Sequence, residues 1–436
     1  MMKSLAIIGS GISGLGVAYF LRERFDLTLF EQNGYAGGHT NTVLVNEGGR
    51  RLPVDTGFMV YNEVTYPNLT RLFKELDVAT KPTDMSFSVQ QRSLGLEYNG
   101  CSLNQIFGQR RNLLSPRFWR MLLSIGRFNQ EAVAALSDPA CAGLTLAQFV
   151  KERGYSREFM ELYLVPMSSA VWSTPPELME EFPATTLIRF WHNHGFLGMH
   201  THHPWRTVVD GARSYVARIA GPLGNRVQLQ RRVIRVSRNE VAGRVRVYCD
   251  DGWKQDYDKV VFACHGDQAL RLLADPTEDE SRLLGQFRYQ PNSVLLHLDA
   301  SVMPRTRRCW ASWNYRIDTA SDGRTLPTTH YWMNRLQGVS EEREYFVSLN
   351  APHLVAEDKI LKRIEYEHPL FDLGAVKAQA ELPGLNLVSP DQSTYYCGAW
   401  FKYGFHEDGF TSALECARAV TGENLWEGAE GWRNHP

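Results

Sequence analysis

An α/β fold built on a parallel sheet is predicted by three observations at the amino end of this 436-residue chain. A short apolar run, Leu5-Ala6-Ile7-Ile8, reads as a buried parallel strand. Gly9-Ser10-Gly11-Ile12-Ser13-Gly14 follows directly and opens a stretch where Leu15, Val17, Ala18 and Leu21 fall at helical spacing. A second strand, Leu27-Thr28-Leu29-Phe30, ends in Glu31. Strand, glycine turn, helix, strand and acid in that order spell a dinucleotide-binding unit.

Each part of this unit has its own physical task. Gly9 permits the tight turn, Gly11 lets a pyrophosphate approach the backbone, and Gly14 lets helix and strand pack closely. Ser13 lies within the same turn, at the positive helix N-terminus where the phosphates are expected. Glu31 stands 22 residues after Gly9, where a carboxylate accepts the ribose hydroxyls and repels a 2′-phosphate. Further on, Val233–Val236 and Val245–Tyr248 alternate apolar and polar around Gly243, as a two-stranded ribbon does. Lys259-Val260-Val261-Phe262-Ala263 reads as a buried strand, and Tyr395–Trp400 as a strand running into a glycine turn. Past Gly409, the residues Ala413, Leu414, Ala417 and Ala419 make a small-residue helix.

Composition narrows the function classes. At ~150 residues per domain the length suggests roughly two to three domains. With 47 Lys+Arg against 48 Asp+Glu there is no basic field to hold a nucleic acid. The seven cysteines are scattered and form no Cys-x-x-Cys pair, which fits neither a disulfide framework nor a zinc site, and suits a reducing cytoplasm. Glycines and serines interrupt the apolar start, so no leader peptide is expected, and no 18-residue apolar run predicts a transmembrane helix. Five of the 13 histidines fall between His192 and His203, without zinc-motif spacing, and no metal is expected.

Asn33-Gly34-Tyr35-Ala36-Gly37-Gly38-His39-Thr40 carries the chain further, because a glycine pair shortly after the acidic residue resembles the FAD-dependent amine oxidase superfamily. There an Arg usually follows the pair; here His39 takes its place. The resemblance implies noncovalent FAD held by Gly9, Gly11, Ser13, Gly14, Glu31, Gly37, Gly38 and His39. It places Val233 against the adenine, Gly398 near the ribityl phosphate, and Gly409, Phe410 and Thr411 at a helix N-terminus aimed at the flavin ring. Cys397, beside Gly398 within an apparent strand, is not expected to be a covalent flavin link. The implied fold is a discontinuous, Rossmann-like (glutathione-reductase-like) FAD-binding domain of residues 1–75, 205–290 and 391–425. It is interleaved with an α+β substrate domain of 76–204 and 291–390, and 426–436 form a tail.

Val54-Asp55-Thr56-Gly57-Phe58-Met59-Val60-Tyr61-Asn62, His194-Gly195-Phe196-Leu197 and Trp205-Arg206-Thr207-Val208 are similar to a bacterial branch associated with cyclopropane-fatty-acyl-phospholipid synthases. Gly57 joins the cofactor residues, and His194 is the leading catalytic histidine of the branch motif. Amine oxidases place a Lys on a substrate-domain strand; the matching stretch, Asn292–His297, reads Leu296 there, with His297 next to it as a second catalytic candidate. With a single G-x-G-x-x-G, the flavin is expected to oxidise the substrate and be reoxidised by oxygen or another acceptor.

Residues 106–128 hold five arginines, no acid, and Phe, Trp, Leu and Ile between them, a pattern suited to an anionic membrane face as well as to a solvated helix. The expectation is oxidation or desaturation of an apolar acyl or phospholipid-linked substrate by hydride transfer to flavin N5, in the cytoplasm or at the inner membrane face. Two alternatives stand beside it: oxidation of an amine or polyene, and a non-catalytic flavin- and lipid-binding accessory of a lipid methyltransferase partner.

Overall fold

A computed structural model describes residues 2–198, 201–388 and 392–428. Ser4–Ile8 (β1), Ile12–Leu21 (α1) and Asp26–Phe30 (β2) form the expected opening unit. β1 pairs in parallel with β2 on one side and with Lys259–Phe262 on the other. Val227–Gln228 and Thr394–Tyr396 extend the sheet to five parallel strands. Helices and strands cover both faces of such a sheet, so its central strands are apolar throughout: Leu5, Ala6, Ile7, Val260, Val261 and Phe262 are fully buried.

Contacts between distant segments close this layer. Gly16 of α1 comes so near the last helix, His406–Thr421, that a Cβ there would lie 2.8 Å from the Ala413 Cβ. Ser13 Oγ donates to the Gly409 carbonyl at 2.9 Å. Arg238, on the strand Val233–Val241, donates to Glu280 at 2.8 Å and to Thr394 Oγ1 at 3.2 Å, while Tyr396 donates to Glu280 at 2.5 Å. That buried cluster ties the ribbon, the helix Glu278–Leu284 and the last parallel strand together. Trp426, assigned by sequence to a tail, is instead core: it is buried, packs on Phe20 and Phe410, and carries Arg71 over its ring.

The ribbon read around Gly243 has a third strand, Lys254–Tyr257. A seven-stranded sheet is assembled from Phe87–Gln91, Leu96–Asn99 and the strands between Arg288 and Leu370. Trp205–Val208 joins neither large sheet; it pairs with Tyr61–Asn62 and Thr80–Thr83. Helices Pro116–Ala135, Leu146–Glu152 and Ala184–Asn193 pack around Phe128, Phe149, Phe159 and Trp191, all buried. The aromatic richness of the sequence is thus partly core.

Candidate functional site

A cavity of about 1720 Å³ starts where the parallel strands end. Ile8, Phe30, Ala263 and Gly398, each at or just past the carboxyl end of its strand, stand on its wall, which is where open parallel sheets hold ligands. Gly9 has φ +102°, and a Cβ there would lie 2.8 Å from the Ala263 carbonyl oxygen, so only glycine makes this turn. A Cβ on Gly11 would meet nothing within 4 Å, because Gly11 faces the open cavity. Gly14 does not reach the wall; its Cβ would sit 1.9 Å from the Gly9 oxygen, so it serves the packing of α1 on the turn. Ser13 is on the wall as well.

Glu31 lies on the wall at the end of β2. One carboxylate oxygen accepts from the Ser10 N–H at 3.1 Å and its hydroxyl at 2.6 Å; the other accepts from the Asn33 N–H and side chain, both at 2.9 Å. This carboxylate could accept a ribose hydroxyl in place of the Ser10 hydroxyl or the Asn33 amide, a charge-assisted hydrogen bond in either case. Val233 and Arg232 border the same end.

Towards the middle, Gly37 and Gly38 have φ of +123° and +58°, and a Cβ on Gly38 would lie 3.2 Å from Gly11 Cα. The glycine pair is therefore pressed against the glycine turn. Gly57 is required by the same crowding, since its Cβ would fall 2.1 Å from the His39 oxygen. His39 stacks on Tyr366 at 4.7 Å, and its Nε2 is buried without a hydrogen-bond partner. An orphaned buried nitrogen costs about 1–3 kcal/mol, which a polar ligand atom relieves. Burial, with His368, His265 and His406 nearby, pushes His39 well below the ordinary histidine pKa, so the ring is neutral where the usual Arg would be charged.

Three more histidines face the cavity that the sequence reading did not single out. His406 stacks on Phe58 at 3.7 Å, and its Nε2 lies 2.8 Å from Thr40 Oγ1. Burial lowers its pKa to about 3. His368 lies 2.9 Å from Asn292 Nδ2 and is lowered to about 4 by burial and by His265. His265 stacks on Tyr289 at 4.0 Å and sits 3.3 Å from Glu367. Strand alternation places His368 on one face of Ile360–Leu370, but only the sheet shows which face the cavity occupies.

Three expected placements are corrected: the start of the last helix, His194 and His297. The last helix begins at His406, with Phe405 at its cap, so Gly404, Phe405 and His406 reach the wall and Gly409, Phe410 and Thr411 do not. Phe410 fills the seam with α1, and Thr411 accepts from Asn68 at 2.9 Å. The helix starts early because Asp408 accepts from the Phe405 N–H at 2.9 Å and caps the first turn. His194 is not on the wall: its Nδ1 lies 2.9 Å from the Phe190 carbonyl and its ring stacks on Phe190 at 3.9 Å. His202 and His203 of the same stretch do line the cavity, and His200 lies outside the described residues. His297 is fully buried behind the sheet, with Nε2 2.7 Å from Ser348 Oγ and Nδ1 accepting from the Asp299 N–H.

Leu296 packs in one apolar cluster with Val54, Met59 and Tyr331. Beyond them the cavity continues between Tyr163, Met167, Trp172, Phe190, Phe196 and Trp313 towards the helix Pro116–Ala135. No lysine lines it among the described residues. Asp84, an acid of this far end, is taken up by Arg335 and the Ser86 and Ser312 hydroxyls. Cys397 is buried off the wall. Among the described residues no cluster of three or more His, Cys, Asp or Glu could hold a metal, and no helix is long and apolar enough to cross a membrane.

The glycine cradle, the acid at β2 and the orphaned His39 nitrogen fit an FAD. The sequence profile for flavin containing amine oxidoreductases matches residues 12–345. No curated protein matches the chain significantly. Among solved structures, wild-type putrescine oxidase bound to putrescine superposes with a TM-score of 0.67 at 14% identity, covering 97% of this chain and 100% of that one. Cyclohexylamine oxidase from Brevibacterium oxydans IH-35A gives 0.66 at 16%, covering 96% and 99%. A fatty acid isomerase from P. acnes, described as producing CLA, gives 0.63 at 14%, covering 96% and 98%. At such identities the likeness is one of fold.

Proposed function

This chain belongs to the flavin-containing amine oxidoreductase family and is an FAD-dependent oxidoreductase, and from that premise we propose that its substrate is an apolar, acyl-chain molecule that it oxidises or desaturates. The observation that carries the reading is the far end of the cavity. Its wall is mostly aromatic and aliphatic, it has no lysine among the described residues, and its Asp84 is already held by Arg335 and two hydroxyls. A protonated amine meets Asp84 there already paired with a guanidinium, whereas an acyl chain gains ~25 cal/mol for each Å² of apolar surface it buries.

Gly11 and Gly38 admit the pyrophosphate, Glu31 holds the adenosine ribose, and His39, Phe58 and His406 border the ring end. The flavin, when bound, supplies the acceptor for the hydride removed from a substrate C–H bond. The chain's own part is to orient that bond and to keep charge away from it. His39, His368 and His406 are all kept neutral by burial, so they offer hydrogen bonds without placing positive charge beside an apolar substrate. The shared fold of a fatty acid isomerase supports the reading, since one architecture accommodates such a ligand.

Anaerobic mixing of the FAD-loaded protein with phospholipids carrying unsaturated, methylated or cyclopropane chains tests it: bleaching of the flavin band is expected. No bleaching across that panel, with peroxide released on adding amines, replaces it by the amine reading that the putrescine and cyclohexylamine oxidases favour. Noncovalent attachment and a lipid methyltransferase partner belong to the same proposal. Acid precipitation is expected to release all the flavin, and a pull-down from native membranes to retain the methyltransferase.

A further inference from the structure

Where the cavity meets the surface its wall is apolar and exposed. Leu103 and Trp119 line the cavity yet are 67% and 43% exposed, so they stand at its mouth. Beside them Leu114 is 88% and Leu123 71% exposed. The helix Pro116–Ala135 explains the arrangement. Phe118, Met121 and Phe128 bury one face in the core, and Trp119, Leu122 and Gly126 turn the next face to the cavity. Leu123, one turn after Trp119, lies at the outer edge of that cavity face. The Trp119 indole donates to the Leu113 carbonyl at 2.9 Å and packs on Phe107, which fixes the turn Arg110–Leu114 to the same rim.

The charge carried by this segment itself has one sign. Residues 101–128 contain five arginines and no acid. Arg110 and Arg111 hydrogen-bond the oxygens of Asn104, Phe107 and Gly95 rather than carboxylates. Arg117 and Arg120 share the single Glu158, and Arg127 meets Glu131. A merely solvated helix face accounts for the arginines but not for leucines this exposed beside a cavity mouth.

We propose that this rim docks on an anionic lipid bilayer. Leu114, Trp119 and Leu123 enter the interfacial layer, Arg110 and Arg111, which have no carboxylate partner among the described residues, pair with lipid phosphates, and the mouth opens onto the acyl chains. An acyl chain then slides from the membrane between Leu103 and Trp119 without crossing water. That last step rests on the acyl-substrate reading; the docking itself does not.

Flotation of the full-length, FAD-loaded protein tests the inference. It is expected to float with phosphatidylethanolamine–phosphatidylglycerol vesicles, to float poorly with phosphatidylcholine vesicles, and to be released by salt. The Leu114→Glu/Leu123→Glu variant should lose at least ~10-fold in partitioning while keeping its flavin content and melting temperature. A wild type that stays at the bottom of the gradient, or a variant that floats equally well, overturns the proposal. So does a wild-type dimer that Leu114→Glu dissolves, since the rim then belongs to a protein partner. Vesicle binding without bleaching by any acyl lipid sinks the substrate reading and leaves the docking; bleaching by detergent-dispersed lipid without vesicle binding does the reverse.

Discussion

Gly11 and Gly14, three residues apart in one turn, are expected to respond in opposite ways to the same added methyl group. A Cβ on Gly11 meets no protein atom within 4 Å and projects into the cavity. The backbone there has φ −64° and ψ −177°, which alanine adopts freely. Losing glycine at a helix N-cap costs a few tenths to about 1 kcal/mol, and the stiffer unfolded chain returns about 0.4–1 kcal/mol, so apoprotein stability should barely change. The methyl group occupies the space the pyrophosphate needs. Overpacking of this kind costs ~1–3 kcal/mol, which weakens flavin binding roughly 5- to 150-fold. Gly14→Ala instead drives its Cβ to 1.9 Å from the Gly9 carbonyl oxygen, a clash between backbones that no rotamer relieves. Denaturant unfolding of the apoprotein and flavin titration by fluorescence quenching separate the two. Gly11→Ala should unfold like the wild type and bind flavin weakly, while Gly14→Ala should unfold at lower denaturant. A Gly11→Ala protein with wild-type flavin affinity, or one as unstable as Gly14→Ala, refutes the assignment of Gly11 to the cofactor cradle.

Other expectations follow from buried charge. Burial pushes the Glu280 carboxyl up, but hydrogen bonds from Arg238, Tyr396 and the Thr277 N–H outweigh it and hold it below its usual value. Its stabilisation is therefore present above the unfolded pKa and lost as pH falls through the folded one, so Glu280→Gln should cost ~3–5 kcal/mol at neutral pH and less in acid. Glu407 is the opposite case: burial raises it to about 8 despite the backbone N–H groups of Leu69 and Asn68. Its stabilising contribution is complete below pH 4.5 and is lost as pH rises through about 8. Chemical denaturation should show Glu407→Gln gaining on the wild type between pH 5 and 9 by at least ~1.4 kcal/mol, one pKa unit's worth; a constant difference contradicts this. Leu296→Lys buries an ammonium among Val54, Met59 and Tyr331 and should cost more than ~3 kcal/mol without conferring peroxide release from amines, as melting and a peroxidase-coupled assay would show.

The nucleotide end of the site was legible in the sequence because it is local. Gly9, Gly11, Glu31, Gly37 and Gly38 lie within thirty residues of one another; Gly9, Gly37 and Gly38 answer a positive φ, and Gly11 leaves the cavity wall open. The ring end was not legible in the same way. Phe58, His265, His368 and His406 come from four distant segments, and no periodicity says that they face one another. The sequence placed the last helix three residues late because it read Gly409 as the start, while the Asp408 cap decides otherwise. It favoured His194 for its place in the branch motif and His297 for standing beside the position of the amine-oxidase lysine; the fold satisfies both by burying them against Phe190 and Ser348.

The sequence by itself determined a flavin-type dinucleotide unit with Glu31 at the end of its second strand, and an arginine-rich, acid-free stretch at 106–128. These are properties of neighbouring residues, set by turn geometry and local charge. Only the tertiary structure decided that four of the five parallel strands end in a common cavity, that its far wall is apolar, and that the arginine stretch rims its mouth. Those features depend on which faces of distant elements are brought together by burial, and burial is a property of the packed whole.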